Sequence, residues 1–388
     1  MENWTAHHLF QNSIPILGNR SSQELKKYAI SLQRRKLPVI FTLRHLSKIT
    51  NVDYLLLRKT VMRHREMANY RVFTIKKRSG GRRYIHRVSK ELFKVQQFIN
   101  FEILQKITPH HASFAFHSKG GIHACALSHC GARWLFQYDL KDFFYSINEI
   151  DIYNIFKDNG YRPLLAFELA RICTTTALPK DSFKLQNYLN YISNYKFNNL
   201  QNYKFYNNRS GLIGVLPQGA PTSPMLSNLA AFKLDNSLTE LADKYGLIYT
   251  RYADDITFSS SSSLPRGKII TDIHKAIINA IRKNDFYENA KKTRIAGPGA
   301  RKLVLGLLVD GAVPRIPKET YKRIERLLYA IKEYNLLEVA KHEKFDTPYG
   351  LYNHLSGLLA FVKDVDIVRW RKFQQLFLEI APPNNQII

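Results

Sequence analysis

Two adjacent acids, Asp254 and Asp255, stand between runs rich in β-branched and aromatic residues, 247–252 and 256–259. Runs of that composition predict two strands, so the chain turns back on itself here with both acids at the tip of a hairpin. Carboxylates this close repel each other, and a folded protein that keeps such a pair commonly neutralises it with a divalent cation. Taken alone, such a pair between strands fits a solvated acidic turn better. A third acid changes the balance. Residues 134–138 read as a buried strand, and Asp139 ends it, followed by Asp142, Phe143 and Phe144. Three carboxylates on two strand ends, Asp139, Asp254 and Asp255, can hold two Mg²⁺ ions about 3.5–4 Å apart, with Mn²⁺ a possible substitute, the arrangement for in-line attack on a phosphoryl group.

DLKDFF at the end of a strand, followed roughly a hundred residues later by YADD, resembles the palm of a reverse transcriptase. The resemblance implies an α+β right-hand polymerase with fingers, an antiparallel palm sheet flanked by helices, and a helical thumb. It makes Asp139, Asp254 and Asp255 the catalytic metal ligands and deoxynucleoside triphosphates the substrates. Asp142 would be a helix-start residue near the nucleotide. Phe144, five residues after Asp139, would pack beneath the sugar of the incoming nucleotide, with Phe143 as the competing residue.

Other motifs follow in the family's order. Residues 73–87 form a basic strand-turn-strand around Ser79-Gly80-Gly81, a hairpin turn composition. By resemblance to the fingers hairpin, Lys77 and Arg83 contact the triphosphate, with Lys76 the fallback for Lys77, while Arg78 and Arg82 serve RNA binding. In LPQGAPTSPMLSNLAAFKLD, Gly219 lets backbone approach a ligand closely. Gln218 would there meet the nascent base pair and the nucleotide's sugar, and Ser227 and Asn228 would hold the template strand or the palm. Within Asn289-Ala290-Lys291-Lys292-Thr293, Lys292 is the candidate to neutralise or protonate the leaving pyrophosphate, with Lys291 as runner-up. Residues 302–311, KLVLGLLVDG, read as two apolar β segments like the hairpin that supports a primer end.

The formal charge of +27 over 388 residues is foreign to an enzyme of small neutral substrates. Between Arg58 and Arg87 there are eleven Lys and Arg against one acid, Glu66, as on a phosphate-tracking surface. Aromatic residues at 12% supply stacking partners for bases. No stretch approaches the length of a membrane span, and 1–10 lack a signal-peptide pattern. Cys125, Cys130 and Cys173 leave an odd thiol and point to a reducing, cytoplasmic compartment. His123, Cys125, His129 and Cys130 crowd together without the two separated pairs of a structural zinc site.

The motifs divide the chain into an N-terminal extension, 1–35, with a helix near 22–35; fingers, 36–138; a palm, 139–311, with an Asn/Tyr-rich loop inserted at 186–208; and a thumb, 312–388, whose helical periodicity carries basic faces. A chain ending soon after the thumb resembles bacterial retron reverse transcriptases over about 40–365. That resemblance implies a structured noncoding RNA as template and primer, priming from a guanosine 2′-hydroxyl, a branched RNA-linked DNA product (msDNA), antiphage defence, and a toxin or effector partner encoded nearby. The retron NAxxH box reads Cys125-Ala126-Leu127-Ser128-His129 here, and its VTG box reads Val304-Leu305-Gly306. His129 is the RNA-recognition candidate, with a packed histidine that serves the fold as the alternative. Cys125 cannot supply an amide's donor and acceptor, and Leu305 offers no hydroxyl. Either the RNA is gripped differently, or the chain belongs to a neighbouring group of bacterial defence reverse transcriptases. A catalytically idle, polymerase-shaped RNA-binding scaffold would have no need of the full acid triad.

Overall fold

The computed structural model describes residues 5–76, 82–178, 213–262, 264 and 268–383. Lys77, Arg78, the expected turn at 79–81 and the insertion expected at 186–208 lie outside the described residues.

Helices α1 (Ala6–Arg34), α2 (Leu43–Thr50), α3 (Tyr54–Val61) and α4 (Glu66–Asn69) lead into strands β1 (Tyr70–Lys76) and β2 (Arg82–Val88), then α5 (Lys90–Glu102) and α6 (Ile122–Leu127). Strand β3 (Trp134–Asp139) comes before α7 (Glu149–Asp158), α8 (Pro163–Cys173), α9 (Ser223–Ala230) and α10 (Phe232–Tyr245). After them come β4 (Ile248–Tyr252), β5 (Asp255–Ser260), α11 (Lys268–Lys283), β6 (Arg294–Ala296), β7 (Leu303–Val304) and β8 (Leu307–Leu308). Helices α12 (Lys318–His342), α13 (Pro348–Val365) and α14 (Ile367–Leu378) complete the set.

The chain folds into two compact units of interleaved segments: Met1–His117, Leu140–Ser237 and Ile278–Glu288 in one, Ser118–Asp139, Leu238–Ile277 and Asn289–Ile388 in the other. The expected boundary at 138/139 falls inside β3, because Asp139 completes that strand's ladder with β5.

In the first unit, α1 is longer than the 22–35 segment expected and breaks at Gly18, whose φ of 72° suits only glycine without strain. Strands β1 and β2 pair antiparallel from Tyr70↔Val88 to Lys76↔Arg82. Asn148 starts α7 through a capping box with Asp151. The buried core of this unit contains an ionic network. Glu149 accepts from Arg63 at 2.6 Å and from Arg171, and its remaining capacity takes the Gly214 N–H at 2.9 Å. Arg63 also donates to the Thr174 carbonyl at 2.6 Å. Desolvating such charges is costly, and this degree of hydrogen bonding is what makes it tolerable. Thr175 and Val215 exchange both backbone hydrogen bonds, so the network fixes the two chain segments on either side of 179–212.

In the second unit, a four-stranded antiparallel sheet has the order β4-β5-β3-β6. Phe136 and Phe258 are register partners and fully buried beneath it. Strands β7 and β8 form a two-residue hairpin whose turn residues, Leu305 and Gly306, have φ of 50° and 86°, as a type I′ turn requires. Helices α12, α13 and α14 pack on one another through Ile324, Leu327, Leu328, Ile331, Leu351, Leu355, Leu359 and Val362, all buried at helical spacing. Helix α12 breaks at Asn335, whose side chain accepts from the N–H groups of Leu337 and Glu338 and restarts the helix.

Candidate active site

Strand pairing sets the site. Asp139 and Asp255 are register partners across β3 and β5, and Tyr252 pairs with Asp255 across the β4–β5 hairpin. Side chains alternate along a strand, so Asp139, Gln137, Asp255 and Thr257 share one face. Directly opposed residues have Cβ atoms about 4.5–5.5 Å apart, which forces the two carboxylates together. Only Ala253 and Asp254 separate the strands. Ala253 has a φ of 56°, a left-handed conformation costing an alanine about 1–2 kcal/mol. The fully buried Arg251 donates to the Ala253 carbonyl at 3.0 Å and holds that turn. An arginine inside a strand of β-branched and aromatic residues is the sequence signal for this residue.

Asp139 is buried and engaged on both oxygens. Lys292 donates to Oδ1, and Asn289 donates to Oδ2 at 3.2 Å; the Asn289 backbone N–H also donates to the Asp139 carbonyl at 2.7 Å. The hydrogen bond to Asp139 holds the Lys292 ammonium above the ordinary lysine pKa. Asp255 is pushed up to about 6, first by desolvation and then by repulsion from Asp254 and Asp139, partly offset by Lys292. Its side chain still opens to solvent on one side, into a cavity of about 220 Å³ lined by Gln137, Asp139, Asp255, Thr257, Lys292, Arg294 and Leu305 among others.

Among the described residues no three His, Cys, Asp or Glu side chains stand together as a ready metal-ligand set. The chemistry nevertheless fits a hard divalent cation: these are carboxylate oxygens, and the like-charge repulsion that raises Asp255 is what a cation would relieve.

Asp142, Phe143, Phe144, Arg82, Arg83, Gln218, Ser227 and Asn228 belong to the first unit. The strand is not followed directly by a helix; turns span 141–146, and Asp142 has a φ of 49°, so it is a left-handed turn residue and not a helix start. Phe143 is buried against Phe286, whereas Phe144 is only half-buried and meets Phe116 and Phe143. Arg82 and Arg83 are exposed on β2 and project to opposite faces. The Gln218 carbonyl accepts from the His86 N–H on β2 at 2.8 Å. Gly219, at φ 112°, lies so near this strand that a Cβ would sit 2.9 Å from the His86 oxygen. Ser227 and Asn228 are buried, and Asn228 donates to the Ala115 carbonyl at 2.6 Å, which ties the helix down.

His129, the RNA-recognition candidate, lies inside the second unit. It is 0% exposed, with Nδ1 2.7 Å from Ser259 Oγ and Nε2 2.7 Å from Thr250 Oγ1. Both nitrogens are taken, and none faces solvent.

A family model described as reverse transcriptase (RNA-dependent DNA polymerase) matches residues 75–307. The chain is 29% identical over 337 residues to the retron Ec86 reverse transcriptase of Escherichia coli, covering 86% of this chain and 88% of that protein. It is 29% identical over 370 residues to the retron Mx65 reverse transcriptase of Myxococcus xanthus, covering 94% and 77%. To the retron Mx162 reverse transcriptase of the same organism it is 27% identical, covering 82% of this chain and 62% of that protein. The retron-type resemblance carried by the motifs is thus borne out across most of the sequence. With its acid triad and its lysine inside the matched span, the chain belongs to the reverse transcriptase family of RNA-dependent DNA polymerases.

Proposed function

We propose that this protein is the reverse transcriptase of a retron, copying a dedicated structured RNA into single-stranded DNA that stays linked to it. The observation that carries the reading is the register pairing of Asp139 with Asp255, with Asp254 beside it in the turn and Lys292 on Asp139, in a chain similar to retron enzymes over most of its length. A reverse transcriptase depends on divalent metal; here two Mg²⁺ ions, held by Asp139, Asp254 and Asp255, would supply charge neutralisation and an activated attacking hydroxyl.

The chain's own residues do the rest. Asp139, Asp254 and Asp255 place their oxygens where the backbone ladder and turn fix them. Lys292, already protonated, carries the proton and positive charge suited to the leaving pyrophosphate once released from Asp139. Arg83, with Lys77, grips the triphosphate through charge-assisted hydrogen bonds. Gln218 orients the nucleotide, and Phe144 packs against its sugar. We assign the β3–β6 sheet to a palm, the basic strand pair and its helices to fingers, and α12–α14 to a thumb. Arg78, Arg82 and the surrounding basic run track RNA phosphates. A toxin or effector encoded nearby would be the protein partner, in antiphage defence. No helix among the described residues is long and apolar enough to cross a membrane.

Sequencing the nucleic acid that co-purifies with the protein tests this. The expected result is one structured RNA joined to DNA complementary to part of it. Recovery of heterogeneous RNA with no DNA, together with failure to extend an annealed primer in Mg²⁺, would overturn it.

A further inference from the structure

Cys125 and His129, the first and last residues of the segment at the NAxxH position, are buried inside the second unit, and their partners reveal what they do. Thr250 on β4 pairs in register with Thr257, whereas Ser259 pairs with Ile248. Thr250 and Ser259 are therefore diagonal neighbours on one face, about 7–8 Å apart on a regular ladder. The His129 ring fills that span with a hydrogen bond at each end, both 2.7 Å. One nitrogen donates and the other accepts, so the imidazole crosslinks the two strands. Cys125 extends the chain, with Sγ 3.3 Å from Thr250 Oγ1.

This is the face that carries Asp255. Residues 255, 257 and 259 alternate onto it, which puts Ser259 roughly 13 Å along β5 from Asp255. Cys125 is close enough for the Asp255 charge to help raise its thiol pKa, after the larger effect of burial. The segment bearing His129 is itself anchored. Gly131 N–H donates to the carbonyls of Val309 and Gly311, both at 2.9 Å, Arg133 N–H donates to Ser260 at 2.8 Å, and the His123 N–H to Asp364 at 3.2 Å. Burial lowers the His129 pKa to about 4, so the crosslink stays neutral and intact throughout the neutral range.

We propose that His129 is a positioning residue: its imidazole crosslinks Thr250 and Ser259 and thereby fixes the hairpin that carries Asp254 and Asp255, with no direct contact to RNA. The proposal rests on the polymerase reading above, and it assigns the histidine of this box to the geometry of the acid pair. Cys125 fits the same role, since a thiol can close on the Thr250 hydroxyl in a site without access to a nucleic acid.

The test compares His129→Ala, His129→Gln, Thr250→Val and Ser259→Ala in the full chain. Three quantities are read: Mn²⁺ affinity by electron paramagnetic resonance, affinity for an annealed RNA template–DNA primer duplex, and kcat and KM for deoxynucleotide incorporation on it. Loosening a group that orients metal ligands typically costs about 10–100-fold in affinity or activity. The expected result is losses of that size in Mn²⁺ affinity and kcat, with nucleotide KM and duplex affinity little changed. His129→Gln, which keeps a donor and an acceptor, should recover part of the loss. Should His129→Ala fail to fold, Thr250→Val and Ser259→Ala, which each remove one hydroxyl and keep the ring, decide the matter. Loss of duplex affinity with kcat and Mn²⁺ binding intact would overturn the proposal, as would folded hydroxyl variants that match the wild type in every readout. A wild type that binds Mn²⁺ but incorporates no nucleotide would instead sink the polymerase reading, and the Mn²⁺ measurement would still decide the crosslink.

Discussion

Asp139 and Asp255 face each other across the β3–β5 ladder, and Lys292 sits on the buried member of the pair. The backbone ladder therefore imposes a concentration of negative charge, and one lysine and one asparagine partly relieve it. A fold that opposes acids in this way gains nothing in stability from them, since directly opposed like charges destabilise a sheet. Their value lies in the chemistry.

Asp254→Asn and Asp139→Asn should each abolish DNA synthesis, because a two-metal centre loses both charge and geometry with one ligand. The fold should persist, and Asp254→Asn, which removes repulsion from the turn, should unfold at the same temperature as the wild type or slightly higher. Primer extension and a thermal melt on the same preparations check both statements. Near-normal extension by Asp254→Asn would refute the metal assignment.

Phe144→Ala should admit ribonucleotides while deoxynucleotide incorporation continues. A sugar hydroxyl against a ring has no partner, a penalty of about 1–3 kcal/mol, or roughly ten- to a hundredfold in selectivity. Phe143, buried against Phe286, should respond differently: Phe143→Ala should cost about 3–5 kcal/mol of stability and leave sugar choice alone. Competition between ribo- and deoxynucleotides on a primed template, with denaturation curves, separates the two. Relaxed sugar choice in Phe143→Ala would reverse the assignment.

Arg83→Ala should raise the KM for all four deoxynucleotides by a similar factor, because phosphates carry no base identity. Gly219→Ala should act on the same parameter by another route. Its added Cβ would meet the His86 carbonyl at 2.9 Å and would strain a φ of 112°, displacing the β2 strand from the Gln218 turn. Steady-state kinetics with each nucleotide in turn is the check. A defect confined to RNA binding would return the strand pair to a generic basic patch.

Glu168 sets a pH dependence of stability away from the acids. Burial pushes its carboxyl up to about 7, although Arg58 lies 3.6 Å away and pulls it down. Between about pH 4.5 and 7 the folded protein holds a proton that the unfolded chain has released. Stability from this group is therefore full below pH 4.5 and is lost as pH rises through 7, by on the order of 2–3 kcal/mol. Glu168→Gln should be more stable than wild type at pH 8 and show a flatter profile from pH 5 to 8 in urea titrations. A steeper profile would contradict the sign.

Much of this protein was present in its sequence. Alternating runs around Asp254-Asp255, the strand before Asp139 and the helical spacing of 318–365 are short-range patterns, and local preference decides them. The motif order identified the family because each motif is a contiguous string. Tertiary structure decided whatever depends on residues distant in sequence. His129 read as an RNA contact because its string resembled a recognition box; only the diagonal placement of Thr250 and Ser259, 121 and 130 residues away, shows both nitrogens satisfied and buried. Nothing local marks Glu149, Arg63 and Arg171 as core residues; three separated segments bring them together. The ladder register of Asp139 with Asp255 likewise belongs to the fold: a strand shows which residues alternate, and only pairing shows which acid each one faces.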